Sequence, residues 1–281
     1  MKLTYIYLIY PKPLIIFGIL SLSTAAKLAI MKISVKKTSM EAILPLRVLF
    51  LHEGNFQFIR NSYHARNWVD SYLLCVDDAT VGYASLCGKE DRAKRDSIIE
   101  FYVLPPYRGQ APLFFSELLT ISKAAYIECQ SNDILLPGML YKFAKNIAAN
   151  IILFKDYAVT NLTCPEVVFR SRAEEDKLFE HRAEPEGSHV LDKNGEVVAT
   201  GGFLLHYNLP YADLYMEVAE PHRCQGYGSF LIQELKKACY VAGRVPAARC
   251  DISNTASKAT LLKAGLEICG YGLSGEVERT K

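Results

Sequence analysis

The chain has 281 residues, half of them hydrophobic and 22% charged, which is a globular composition and excludes an intrinsically disordered chain. It is long enough for two domains that each bury a core. Its 32 basic and 30 acidic residues leave a net charge of +2 with no basic block, so no nucleic-acid partner is expected.

Eight cysteines are spread along the chain without a single C-x-x-C pair. That pattern predicts buried free thiols in a reduced, cytoplasmic protein, with neither a disulfide framework nor a metal site.

Residues 1–30 stand apart, with Lys2, Lys12 and Lys27 as their only charges and an apolar run from Leu14 to Leu20 broken by Gly18. A secretory signal, a membrane anchor and an upstream extension with a mis-called start are all readings of such a segment. The third fits best, because a strand pattern opens at once at Met31, and Pro11 and Pro13 interrupt a membrane span. A membrane partner is therefore not expected.

From Met31 the pattern alternates strands and helices. Ile33 to Lys36 reads as a strand and Met40 to Leu51 as a helix. Ser71 to Val76 and Val81 to Cys87 are strands joined at Asp77-Asp78, and the mixed-charge run Lys89 to Asp96 reads as a solvated hairpin tip. Ile98 to Val103 is a strand, followed by a loop to Gln110 and a helix from Pro112 to Lys123, with proline suited to a first helical turn. Ile127 to Cys129 is strand-like, and a helix is predicted over Leu135 to Ala148.

The same order returns in the second half. Val190 to Asp192 and Val197 to His206 form a hairpin about Lys193-Asn194-Gly195. Leu214 to Val218 is a strand, Pro221 to Gly226 a loop, and Ser229 to Ala242 a helix closed by Gly243. Ala247 to Ile252 is a strand and Ala256 to Ala264 a helix ended by Gly265. The repetition predicts two units of one α/β plan, with their boundary near Asn161 to Cys164.

The sharpest local signal is strand, then Arg223-Cys224-Gln225-Gly226-Tyr227-Gly228, then helix. A helix N-terminus carries unsatisfied amides and partial positive charge, so it receives phosphate or pyrophosphate. Glycines let the backbone approach an anion in conformations closed to other residues. A Walker loop would need Gly-Lys-Ser/Thr, and a dinucleotide fingerprint would want glycine at Leu231.

The segment resembles motif A of the GNAT acyltransferases, Arg/Gln-x-x-Gly-x-Gly/Ala. Val218 ends the preceding strand, and Asn254-x-x-Ser257 with Lys263-Ala264-Gly265-Leu266 is similar to the family's downstream pattern. The resemblance covers residues 165–272. It implies an α/β fold of two tandem GNAT-like domains, each a mixed, mostly antiparallel twisted sheet flanked by helices. The expected division is an extension over 1–30, a degenerate copy over 31–162, and an acetyl-coenzyme A-binding domain over 163–281.

The resemblance further implies acetyl-coenzyme A as co-substrate, no metal, and acetyl transfer to the amine of a small molecule. Arg223 and the amides of Cys224, Gln225, Gly226, Tyr227, Gly228 and Ser229 would hold the pyrophosphate. An amide at a strand-end bulge, Val218 or Ala219, would meet the thioester carbonyl, and Asn254 and Ser257 would lie on the far side of the cofactor arm. Glu217 is the expected general base. His206 and Tyr207, with the loops Arg172 to Gly187 and Tyr207 to Tyr211, are candidates to line the acceptor site.

The family's usual tyrosine acid is replaced by Leu261. Tyr227 and Tyr271 are nearby in sequence, and Cys224 as a nucleophile runs against the family's direct transfer. In the first half, Arg108-Gly109-Gln110-Ala111-Pro112-Leu113 matches the turn only in part, because Pro112 lacks an amide and Leu113 replaces the second glycine. Leu261 and that weak copy leave a second reading open, a non-catalytic acyl-coenzyme A sensor; a membrane-tethered form using residues 1–30 is a third.

Overall fold

The computed structural model describes residues 32–54, 60–91, 93–205 and 209–279. The expectations for residues 1–30, His206 and Tyr207 lie outside the described residues. Lys32 onward forms one compact unit.

In the first half β1 (Ile33–Thr38) leads to α1 (Met40–Glu53) and a short α2 (Asn61–Ala65). There follow β2 (Val69–Val76), β3 (Ala79–Cys87), β4 (Ser97–Val103), α3 (Ala111–Ile121), β5 (Tyr126–Gln130) and α4 (Leu136–Phe143). A long β6 (Ala144–Asp156) ends the half. The second half contains β7 (Val168–Ser171), β8 (His189–Lys193), β9 (Glu196–Leu204), β10 (Tyr211–Val218), α5 (Tyr227–Val241), β11 (Val245–Asp251), α6 (Thr255–Lys263) and β12 (Leu266–Val277).

The β8–β9 turn has Asn194 and Gly195 at φ 54° and 88°, the left-handed pair that a two-residue hairpin requires. Between the halves, the chain after Asp156 is tied to α5. Gln233 bonds Thr160 Oγ1 and the Leu162 backbone, and the buried Lys236 ammonium donates to the carbonyls of Ala158 and Ala264.

The twelve strands among the described residues join one mixed, mostly antiparallel sheet in the order β1-β2-β3-β4-β5-β12-β6-β11-β10-β9-β8-β7. Two neighbouring pairs are parallel, β4 with β5 and β10 with β11. Each is short. β10 and β11 pair only from Tyr211 to Asp213, and β4 and β5 only at Ser97 and Ile98, so both pairs diverge toward their C-terminal ends.

The centre of the sheet is an antiparallel ribbon of β6 and β12, each taken from a different half of the sequence. Ile152 and Phe154 of β6 pack in the core of the second half, while Leu273 and Val277 of β12 pack against the core of the first. Each core is therefore closed by a strand that sequence order assigns to the other half.

The predicted helix over Leu135 to Ala148 is corrected here. α4 ends at Phe143, and Ala144 to Ala148 enter β6. Ala- and Lys-rich residues have helical propensity, but propensity is weak, and ten register pairs with β12 supply the backbone bonds instead.

One buried carboxylate fixes the helices over the first-half sheet. Glu100 of β4 accepts from Arg47 Nη2 at 2.9 Å, from Tyr83 Oη at 3.1 Å, and lies 3.2 Å from His64 Nε2. Burial acts to raise its pKa, but Arg47 and His64 outweigh that and hold it well below the usual carboxylate range. This single group docks both α1 and α2.

Candidate functional site

The turn between β10 and α5 forms a backbone cradle. Cys224 and Gly226 have φ of 63° and 87°, and left-handed residues at alternate positions turn successive amides to one side. Gly226 is the N-cap of α5 and supplies no side-chain acceptor. The first bond into the helix runs from Phe230 N–H to Gly226 O, so the amides of Tyr227, Gly228 and Ser229 have no acceptor within the helix. Tyr227 and Ser229 are themselves buried.

Glycine suits two places for different reasons. Gly226 needs the left-handed conformation, and a Cβ there would lie 4.0 Å from the Lys263 ammonium. At Gly228 a Cβ would come within 3.1 Å of Met216 and 3.2 Å of Thr260. Lys263 of α6 thus stands beside the cradle, an exposed cation that adds to its positive field. Arg223 is held by its Nε–H to Val218 O at 3.1 Å, with Nη2 at 3.8 Å from Glu217. Gln225 donates to Pro221 O at 3.3 Å.

The cradle opens onto the divergence of β10 and β11. Ala219 N–H donates to Val198 O at 3.0 Å, and β9 and β10 pair from Asp213 to Val218 without a register shift. The expected strand-end bulge is therefore not formed against β9, and the Ala219 amide is engaged. Strand alternation turns the Val218 N–H to the opposite edge, where β11 has diverged. Across that gap Asn254 caps α6 by accepting from Ser257 N–H at 2.9 Å.

Glu217 is buried and faces a loop rather than open solvent. Its carboxylate accepts from the backbone amides of Arg182, Ala183 and Glu184 at 3.1–3.2 Å. Burial alone would raise its pKa; those amides, helped by His181, draw it below the ordinary value. His181 sits beside it, with Nε2 at 2.6 Å from Thr200 Oγ1 and the ring stacked on Phe179. Thr200 is the cross-strand partner of Glu217. A lone histidine in an acidic loop carries no periodic signal, which is why sequence reading passes over His181.

The proposed acid alternatives are also placed. Leu261 is buried in the second core, and Tyr227 is buried with its hydroxyl accepting from Lys193 Nζ at 3.0 Å. Tyr271 lies on β12, paired with Ile152, and Cys224 is exposed.

The first half shares two of these backbone contacts. Arg108 Nε–H bonds Val103 O as Arg223 bonds Val218 O, and Leu104 N–H bonds Val81 O as Ala219 bonds Val198 O. Beyond that point the halves differ. Pro105–Gln110 is a 3-10 turn that runs straight into α3, with Gln110 and Ala111 at φ −94° and −48°. No left-handed residue turns the amides outward there, and Pro112 has none to offer.

Among the described residues no group of three or more His, Cys, Asp or Glu side chains could hold a metal. Nor is any described helix long and apolar enough to cross a membrane.

The family profile described as Acetyltransferase (GNAT) family matches residues 155–266. No curated protein matches the chain. Among solved structures, a GNAT-family acetyltransferase from Colwellia psychrerythraea superposes with a TM-score of 0.70 at 14% identity, covering 87% of this chain and all of that one. A tandem GNAT protein from the clavulanic acid biosynthesis pathway gives 0.55 at 11% identity over 89% of this chain and all of that one. A GCN5-related N-acetyltransferase from Sphaerobacter thermophilus gives 0.54 at 12% identity over 89% and 97%. At these identities the likeness is one of fold.

Proposed function

We propose, on the match of residues 155–266 to the acetyltransferase (GNAT) family profile, whose general chemistry is acyl transfer, that the protein acetylates the amine of a small molecule. Acetyl-coenzyme A is the donor in this reading, and it supplies the activated thioester when bound. The observation that carries the proposal is the turn from Arg223 to Gly228, with its left-handed Cys224 and Gly226 at the N-terminus of α5.

The amides of Tyr227, Gly228 and Ser229 hold the pyrophosphate, with Arg223 and Lys263 as the flanking cations. The Val218 amide faces the thioester carbonyl and stabilises negative charge as it develops there. Asn254 and Ser257, at the start of α6, border the cofactor arm. Glu217 supplies negative charge beside the amine, and because its oxygens are occupied by loop amides it accepts the amine's proton through water. In this division of labour residues 163–281 form the coenzyme-binding domain, and residues 31–162 are a related unit without a coenzyme cradle.

The test is incubation of the purified protein with acetyl-coenzyme A and pooled small amines, reading free thiol and the appearance of an acetylated mass. Thiol release with a matching product supports the enzyme. Buried Leu261, in place of the family's acid, and the occupied Glu217 favour a second reading, a non-catalytic acyl-coenzyme A sensor. Tight coenzyme binding without turnover on any amine would select it.

A further inference from the structure

A second cavity lies away from the coenzyme turn, beneath α1 and α2 and above the central ribbon. Its volume is about 410 Å³, within the range of small-molecule sites. Its lining comes from both halves, including Asn150 and Leu153 of β6, Arg249 of β11 and Leu273 of β12. Nothing in the coenzyme cradle contributes to it.

The cavity has a chemical polarity along β5. Tyr126, Glu128 and Gln130 are alternate residues and share one face of that strand. At the start of β5 the Lys89 ammonium stands 4.2 Å over the Tyr126 ring. β2 brings Arg66 to the same end, since Val69 pairs with Cys87. The Arg66 guanidinium stacks 4.8 Å over Trp68 and forms no ion pair among the described residues. In the middle, Arg60 and Glu128 neutralise each other at 2.5 Å.

The far end offers two acceptors beside Arg249, whose guanidinium is paired with Asp213 at 3.3 Å. Gln130 Oε1 is buried without a hydrogen-bond partner among the described residues, an arrangement that is unfavourable unless a donor is bound. Asp133 also lines this end, with Oδ1 capping α4 through the Leu135 and Leu136 amides. The two ends are separated by about 13 Å of strand, four residues at the usual rise. Between them the floor is apolar, made by Ile151, Leu153 and Leu273.

We propose that this cavity binds an extended zwitterion, its anionic group at Arg66 and Lys89 and its ammonium or N–H group at Gln130 and Asp133. A linear aliphatic or peptide-like body would cover the apolar floor. The ion pair of Arg60 with Glu128 leaves no net charge midway, so it favours a neutral centre. A dianion would meet Asp133 and the carbonyl of Gln130, and a diamine would meet Arg66 and Lys89; both are disfavoured by like polarity. The site goes beyond the acetyl-transfer reading and is tested without coenzyme.

Calorimetric titration of the full chain at neutral pH with 8-aminooctanoate, octane-1,8-diamine and octanedioate reads the polarity directly. The amino acid is expected to bind at least about tenfold more tightly than either control, a difference of about 1.4 kcal/mol. R66M should erase the preference over the diamine, and Q130L the preference over the diacid, with thermal melts showing both variants folded. G226D should leave the titration unchanged, which separates this site from the coenzyme turn. Equal affinity for the three probes would overturn the proposal. So would absence of binding at millimolar concentration, or a preference that survives both substitutions.

Discussion

Gly226 combines a left-handed φ of 87° with the N-cap position of α5. A Gly226→Asp variant adds backbone strain of about 1–2 kcal/mol and places a carboxylate where the phosphate would sit. Coenzyme affinity is expected to fall by at least about tenfold, measured by titration with acetyl-coenzyme A; unchanged affinity would remove the turn from the proposed site. Glu217→Gln leaves a neutral amide facing three backbone N–H groups. The expected cost is about 1–3 kcal/mol, together with faster proteolysis in the 182–184 loop. If Glu217 also relays the amine's proton, kcat drops while KM for acetyl-coenzyme A holds.

Asp133 carries a pH signature of opposite sign. Burial pushes its carboxyl up to about 6, outweighing the two capping amides. Between the ordinary carboxylate value and 6 the folded protein therefore holds this proton more often than the unfolded chain does. Its contribution to stability is full below the unfolded value and is lost as pH rises through about 6. Melting temperatures of the native chain and of Asp133→Asn, compared from pH 4 to 7, should converge at low pH and separate in favour of the variant above 6. Parallel curves would show that Asp133 ionises without penalty.

The elements differ in how far they are set by neighbours in sequence. α5 is legible from its apolar spacing and glycine ends, and the hairpin about Asn194-Gly195 from its turn residues, because both depend on short-range backbone preferences. β6 is not. Residues 144–148 have helix-compatible composition and become a strand only because β12 arrives beside them. β12 in turn serves two masters, pairing with β6 along its length and with β5 from Gly272 to Glu276. A chain ended after Tyr271 loses Leu273 and Val277 from the first core. Removal of two such side chains is expected to cost at least about 3 kcal/mol, so urea denaturation should show a lower midpoint for the chain. A midpoint equal to that of the full chain would mean that β12 does not close that core.

Across the molecule, the exchange of β6 and β12 ties the two halves into one sheet. Two separable domains would melt in two steps, whereas shared strands predict a single cooperative transition. Trp68, the only tryptophan, reports on the first half, and a fluorophore on exposed Cys224 reports on the second. Their denaturation curves should coincide; midpoints that differ would show independent halves. The order of residues was enough to locate the glycine turn from Arg223 to Gly228, its following helix and the capping Asn254, because each depends on a few adjacent backbone conformations. Tertiary packing alone decided the rest. It brought the 182–184 amides to Glu217 and His181 to Thr200, engaged the Ala219 amide while turning that of Val218 to the gap, and assembled the polar cavity over β5. The Glu217, His181 and Ala219 contacts join residues 19 or more positions apart, and only the assembled sheet, with its exchanged central strands, holds such residues at hydrogen-bonding distance.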